Sequence, residues 1–342
     1  METKLLYAKD ETAIDEINKA AEILKNGGLV ALPTETVYGL AASAFDENAV
    51  ANIFKAKGRP NDNPLIVHIA QIKELDGIVS GVSDIAKRCM DAFWPGPFTA
   101  VLPKKDTVPP AVSGGLDTVA VRLPDNAVTA AIIKKAGLPL AAPSANTSGA
   151  PSPSTSRHVI DDLFGKIDAI VVSGDCKVGV ESTVVSFAVN PPRLLRPGGI
   201  TAEQLKEIIP DLVIDPAVTA EPEKGVKVAS PGMKYKHYSP KANVVLVSGS
   251  SKDFANYCNQ RKSSIDTVLC FDEDAPLLEL PLISLGAEKD HKMQAERLFS
   301  ALRELDKKKV KEVAVHTPSK DGVGLAVYNR LIRAAAFKEI IL

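Results

Sequence analysis

Apolar positions repeat along this chain with two periods in alternation, one helical and one of strands. Ile14, Ile17, Ala21 and Leu24 share one face of a 3.6-residue repeat; Thr12 and Asp15 read as a capping-box start, and Gly27-Gly28 ends the element. Short apolar runs between turn residues predict strands over Leu29–Leu32, Leu65–Ile69, Thr99–Leu102, Thr118–Leu123, Leu138–Ala142, Ala169–Val172 and Val184–Phe187. Helical spacing predicts Ala49–Lys57, Ser83–Phe93, Ala127–Ala136 and Thr201–Ile209, the last opened by Thr201 and Gln204 in a second capping-box pattern. Several connections are too short for a crossover helix, so an α/β fold with a mixed sheet is expected.

The pattern lapses near residue 210, where a stretch rich in Pro, Glu and Lys runs to Pro240. Loops this long are usually linkers or functional lids. Beyond it, strands are predicted at Asn243–Val247, Val268–Phe271, Leu282–Leu285 and Val310–His316, and helices at Asp253–Gln260, His291–Leu305 and Val323–Phe337. The expected division is therefore a first domain over 1–212, a linker over 213–240 and a small doubly wound domain over 241–342.

Composition narrows the class. The chain has 342 residues, 45% hydrophobic and 24% charged, as in soluble globular proteins. Lys and Arg number 41 against 42 Asp and Glu, so any affinity for nucleic acid must come from a local basic patch. Residues 1–10 lack an apolar signal core and no run approaches a membrane span, which leads us to expect a cytoplasmic protein. Cys89, Cys176, Cys258 and Cys270 stand alone, without a CxxC pair, which fits a reduced compartment and no structural zinc.

Candidate chemistry lies in a few segments. Lys55, Lys57 and Arg59 alternate ahead of Pro60 and Pro64, and the chain then enters the apolar run that carries His68. Neighbouring cations gain most where a ligand brings several negative oxygens, and Arg59 adds the planar fork suited to phosphate. A solvated charged loop explains such a cluster equally well. A lone strand histidine is more often a hydrogen-bonded structural residue than a catalyst. Period-two geometry puts Thr118, Ala120 and Arg122 on one strand face, and a sheet-face arginine needs an anion; a structural salt bridge is the commoner reason. The small and hydroxylic run Ala141–Ser154 follows a strand, where open α/β sheets bind ligands and backbone nests hold anions. Val180–Val185 sets hydroxyls at a strand start, and Arg196 sits at a strand-to-turn junction. Gly174–Gly179 has the glycine spacing of a P-loop, but Val180-Glu181 stands where Lys-Ser/Thr is required.

Taken in this order, the segments resemble the YrdC-type threonylcarbamoyl-AMP synthases in their long two-domain form, over essentially the whole chain. The matching motifs are Pro33-Thr34-Glu35-Thr36-Val37-Tyr38-Gly39-Leu40, Lys57-Gly58-Arg59-Pro60 with Asn63-Pro64-Leu65, Trp94-Pro95-Gly96-Pro97 and Ala120-Val121-Arg122-Leu123-Pro124. Pro143-Ser144-Ala145-Asn146, Ser148-Gly149, Glu181-Ser182-Thr183 and Arg196-Pro197-Gly198 follow, and Ser230–Pro240 looks like the family's linker. The resemblance implies a YrdC-like twisted mixed sheet with helices, plus a smaller Rossmann-like α/β C-terminal domain. It implies synthesis of L-threonylcarbamoyladenylate from L-threonine, bicarbonate and ATP, with pyrophosphate released and the product used to modify a tRNA adenosine beside the anticodon.

Carried over by motif, Lys57 and Arg59 are the expected catalytic residues. Arg59, Asn63, Thr118, Ser144, Ser152, Arg196, Tyr235 and His237 are expected to bind ATP. Thr36, His68, Arg122, Ala142 and Ser182 are expected to bind L-threonine, with Arg122 on its carboxylate. Mg2+ is expected only in company with ATP, with no organic cofactor and no metal site of the protein's own. Downstream tRNA-modification proteins are expected partners, direct tRNA binding is expected to be weak or absent, and no membrane is involved. Two other readings stand beside this one: an RNA-binding module without chemistry, and carbamoyl transfer in hydrogenase maturation. The latter expects CxxC pairs and further domains that the sequence lacks.

Overall fold

The apolar runs become the strands of two sheets in this computed structural model, which describes residues 2–60, 63–221 and 238–342. Tyr235 and His237 lie outside the described residues. The described residues form two compact units, one of residues up to 148 and 152–218, the other of 149–151, 219–221 and 238–342.

In the first unit the strands are β1 (Lys4–Tyr7), β2 (Val30–Leu32), β3 (Gly39–Ser43), β4 (Ile66–His68), β5 (Phe98–Pro103), β6 (Thr118–Arg122), β7 (Leu140–Ala141), β8 (Ala169–Val172), β9 (Thr183–Ser186), β10 (Arg193–Arg196) and β11 (Val213–Ile214). They form one sheet in the order β1-β8-β2-β3-β7-β4-β6-β5-β9-β10-β11. Parallel pairs such as β4 with β6 occur beside antiparallel ones such as β5 with β6, so the sheet is mixed as expected.

Helices bury both faces. Glu47–Lys57, Asp84–Phe93, Ser156–Leu163 and Ala202–Ile208 pack Ile53, Met90, Val159 and Leu205 into the larger core with Val67, Val121 and Val185. On the opposite face, Ile14–Lys25 and Ala127–Ala136 pack Ile17, Leu24 and Ile132 against Val30, Ala41 and Leu140. That same face continues across β4, β6, β5 and β9, where Ile66, Val101, Ala120, Val184 and Leu195 form a smaller cluster. His68 and Arg122 stand on this part, in register with Ile66 and Ala120.

The second unit carries β12 (Asn243–Ser248), β13 (Thr267–Cys270), β14 (Leu282–Ser284), β15 (Glu312–His316) and β16 (Glu339–Ile341), in the order β14-β13-β15-β12-β16. Its strand pairs are all parallel, with helices Ser251–Asn259, His291–Lys307 and Gly324–Ala334 between strands, a Rossmann-like arrangement.

Two local expectations need correction. The first helix has no capping box: it starts at Ile14 after Ala13, because Asp10 takes both the Thr12 hydroxyl and its backbone N–H, the latter at 2.9 Å. The stretch read as linker begins inside the first sheet, where Val213 and Ile214 pair with Arg193 and Leu194. The Thr201–Gln204 capping box is present. Among the described residues, no helix is long and apolar enough to cross a membrane.

Candidate active site

The turn between β2 and β3 is tied by its own hydroxyls. Thr34 Oγ1 accepts from the N–H groups of Thr36 and Val37, 3.2 Å each, and donates to the Val37 carbonyl at 2.6 Å. Side-chain oxygens of Ser and Thr favour such turns because they stand in for a backbone partner. Thr36 is fully buried, with its hydroxyl 2.8 Å from that of Thr34. Backbone bonds from Tyr38 to Pro153, Leu40 to Pro143 and Ala145 to Tyr38 clamp the small-residue segment against this turn.

Strand register then draws distant residues into one row. His68 lies opposite Arg122 on β4 and β6, and Arg122 lies opposite Thr99 on β5. Thr99 Oγ1 is 2.7 Å from Ser182 Oγ, and the Arg196 guanidinium donates to the Ser182 carbonyl at 3.0 Å and to its hydroxyl at 3.1 Å. Arg196 reaches this row through a β-bulge. Leu194 pairs with Val185 but Arg196 pairs with Val184, so one extra residue turns Arg196 onto the same face as Leu195. Ala142 adjoins the row through its N–H, which donates to the Ile66 carbonyl at 3.0 Å.

Arg122 is 3% exposed and has an anionic neighbour that sequence reasoning did not single out. Its terminal nitrogen is 2.7 Å from Glu35 Oε2, although neither group has an aligned hydrogen bond there, and its Nε reaches the Gly96 carbonyl at 3.4 Å. The salt bridge proposed by the commoner reading therefore exists, inside the row. His68 Nδ1 lies 3.1 Å from the Ile66 carbonyl; a carbonyl only accepts, so Nδ1 carries the hydrogen and Nε2 is an acceptor. Burial, and then the Arg122 charge, depress the His68 pKa to about 3, which keeps the ring neutral.

The residues expected on the nucleotide side fare differently. Lys55 and Lys57 end a helix, where residues two apart point in nearly opposite directions, so Lys55 is exposed and Lys57 is 4% exposed. The Lys57 ammonium donates to the Ser144 carbonyl and, at 2.6 Å, to that of Asn146, which makes it the clamp of the small-residue segment. Arg59 is half-buried beside Asn63, which is 1% exposed and whose side-chain amide has no hydrogen-bond partner on either atom among the described residues. Thr118 shares the face of Arg122 at the other end of β6, about 13 Å away along a strand. Ser144 donates to Asn146 Oδ1 at 2.6 Å, and the buried Ser152 hydroxyl donates to Glu181. Among the described residues no three His, Cys, Asp or Glu side chains stand together as metal ligands.

Comparison with known proteins identifies the family. A family model described as Telomere recombination (Sua5, YciO and YrdC) matches residues 22–198, and one described as Threonylcarbamoyl-AMP synthase, C-terminal domain, matches residues 200–336. A threonylcarbamoyl-AMP synthase of Bacillus subtilis is 44% identical over 329 residues, covering 95% of this chain and 94% of its own. One from Pyrococcus abyssi is 42% identical over 334 residues, covering 95% of each. The crystal structure of P. abyssi Sua5 complexed with L-threonine matches with a TM-score of 0.90 at 39% identity, over 100% of both chains. The chain belongs to the Sua5/YrdC family of threonylcarbamoyl-AMP synthases, in its two-domain form.

Proposed function

We propose that the protein condenses L-threonine, bicarbonate and ATP into L-threonylcarbamoyladenylate and pyrophosphate, for modification of a tRNA adenosine beside the anticodon. The observation that carries the reading is the row His68, Arg122, Ser182 and Arg196, built on one sheet face from four segments. The threonine amine displaces water from bicarbonate to give an N-carboxylate, whose oxygen attacks the α-phosphorus of ATP as pyrophosphate leaves. No protein nucleophile is required; the work is positioning and charge stabilisation.

In this reading Arg122 meets the threonine carboxylate, with Thr36, Ala142 and Ser182 around the side chain and His68 Nε2 accepting from its hydroxyl. Arg59, Asn63, Thr118, Ser144, Ser152 and Arg196 form the ATP side. The unsatisfied Asn63 amide supports a polar ligand there, since a buried amide without partners costs roughly 1–3 kcal/mol. Lys57 lends its charge to the phosphates while its hydrogens hold the Ser144–Asn146 carbonyls. Mg2+ enters as part of the ATP substrate. The free, buried cysteines support a reducing, cytoplasmic setting.

An RNA-binding module is disfavoured by burial. Lys57, Arg122 and Arg196 are 4%, 3% and 6% exposed, which is unsuited to a phosphate backbone that binds exposed cations. The test is pyrophosphate release with L-threonine and bicarbonate each withheld in turn. Release should stop in both cases; release that persists without either would refute the synthase reading.

A further inference from the structure

Glu35 is the buried carboxylate of the row. Its residue is 8% exposed, its backbone is held by the Thr34 turn, and its carbonyl accepts from the Val178 N–H at 2.8 Å. Among the described residues both carboxylate oxygens lack a hydrogen-bond donor, and the Arg122 nitrogen in contact with them lacks an aligned acceptor. A buried carboxylate normally collects several donors, because it loses its water shell on burial. Three described groups near Arg122 do not supply them. His68 is neutral with its hydrogen committed to Ile66, and the Gly96 carbonyl is an acceptor. Cys176, electrostatically close to both Glu35 and Arg122, is a neutral thiol pushed up to about 12, chiefly by burial, and thiols donate weakly.

The missing groups have complementary chemistry: a cationic donor for Glu35 and an anionic acceptor for Arg122, on neighbouring atoms. An α-amino acid zwitterion carries both on one carbon. We propose that Glu35 is the receptor for the α-ammonium of L-threonine, so that the Glu35–Arg122 contact pair reads the substrate as a zwitterion. This deepens the synthase reading and rests on it. Glu35 thereby selects an unacylated α-nitrogen and rejects acids that match the carbon frame without one. That nitrogen bonds to the bicarbonate carbon once its ammonium proton has passed to the bicarbonate oxygen that leaves as water.

Calorimetry on the full chain tests this with two ligands: L-threonine, and 2,3-dihydroxybutanoate, which replaces the amine by a hydroxyl. The native protein should prefer L-threonine by about tenfold or more, the weight of one charge-assisted hydrogen bond. Glu35→Gln should weaken L-threonine by about the same factor while leaving dihydroxybutanoate unchanged or tighter, because Arg122 loses a competing anion. Glu35→Asp should keep the native order of preference. A Glu35→Gln protein that keeps the native preference, or loses both ligands alike, overturns the proposal. If that variant does not fold, the native comparison decides, since equal affinity for both acids also overturns it. A native protein that binds neither acid overturns the synthase reading itself, which is a separate result.

Discussion

Arg122 and Glu35 hold each other inside a buried row, so removing either leaves a charge stranded. Arg122→Ala should abolish threonine-dependent pyrophosphate release and also cost about 3–5 kcal/mol in denaturant unfolding, as expected when one partner of a buried pair is lost. Unchanged stability would mean that Glu35 finds another partner. His68 makes a pH prediction. Its folded pKa of about 3 lies below its ordinary 6.5, so the unfolded chain takes up the proton first. Its contribution is complete above 6.5 and falls as pH drops toward 3, by up to ~1.4 kcal/mol per pH unit. Unfolding curves of the native protein and His68→Gln should diverge in that window, with the shallower acid loss in the variant. Arg122 and His68 were legible in the sequence because period two gives a strand residue a face. Glu35 was not, although a carboxylate between two threonines was the anion that a sheet-face arginine required.

At the scale of elements, close backbone approach decides where the row sits. A Cβ on Gly198 would lie 2.3 Å from the Thr183 nitrogen and 2.5 Å from the Glu181 oxygen, and backbone cannot yield as a side chain can. Gly198→Ala should therefore push the Arg196–Gly199 turn off the start of β9, lower stability by about 1–3 kcal/mol and raise the KM for L-threonine through Ser182. A variant with native stability and KM would show that the turn can shift without cost. Most helices and strands followed from apolar periodicity. β3 did not, because Gly39–Ser43 is buried throughout and has neither alternation nor β-branched residues. β1 and β16 were missed as short strands at sheet edges, where little burial marks them. The Arg196 bulge was equally hidden, since regular alternation places that side chain on the opposite face.

At the scale of the molecule, each unit has its own core and its own buried charges. In the second, His316 Nδ1 lies 2.7 Å from Asp274 and its ring stacks on Phe254 at 4.5 Å, joining β15 to the loop after β13. Burial alone would lower the His316 pKa, but the hydrogen bond and charge of Asp274 outweigh it and raise it. The protonated ring thus stabilises this unit below the ordinary histidine pKa, and that contribution is lost as pH rises through the folded value. Asp274→Ala should cost about 3 kcal/mol and remove that alkaline loss, read by hydrogen exchange of residues 243–342, with L-threonine affinity unchanged. Unaltered exchange would assign the second unit's stability elsewhere.

Most of the order of elements, and the segments rich in cations and hydroxyls, were properties of neighbours along the chain, and periodicity and composition sufficed for them. Which of those residues meet was decided by strand register and burial. The partnership of Glu35 with Arg122, the turn of Arg196 onto the site face and the withdrawal of Lys57 from solvent each join residues far apart in sequence. Local pattern carries no information about such pairs, because their energy comes from excluding water around charges that only the folded sheet brings together.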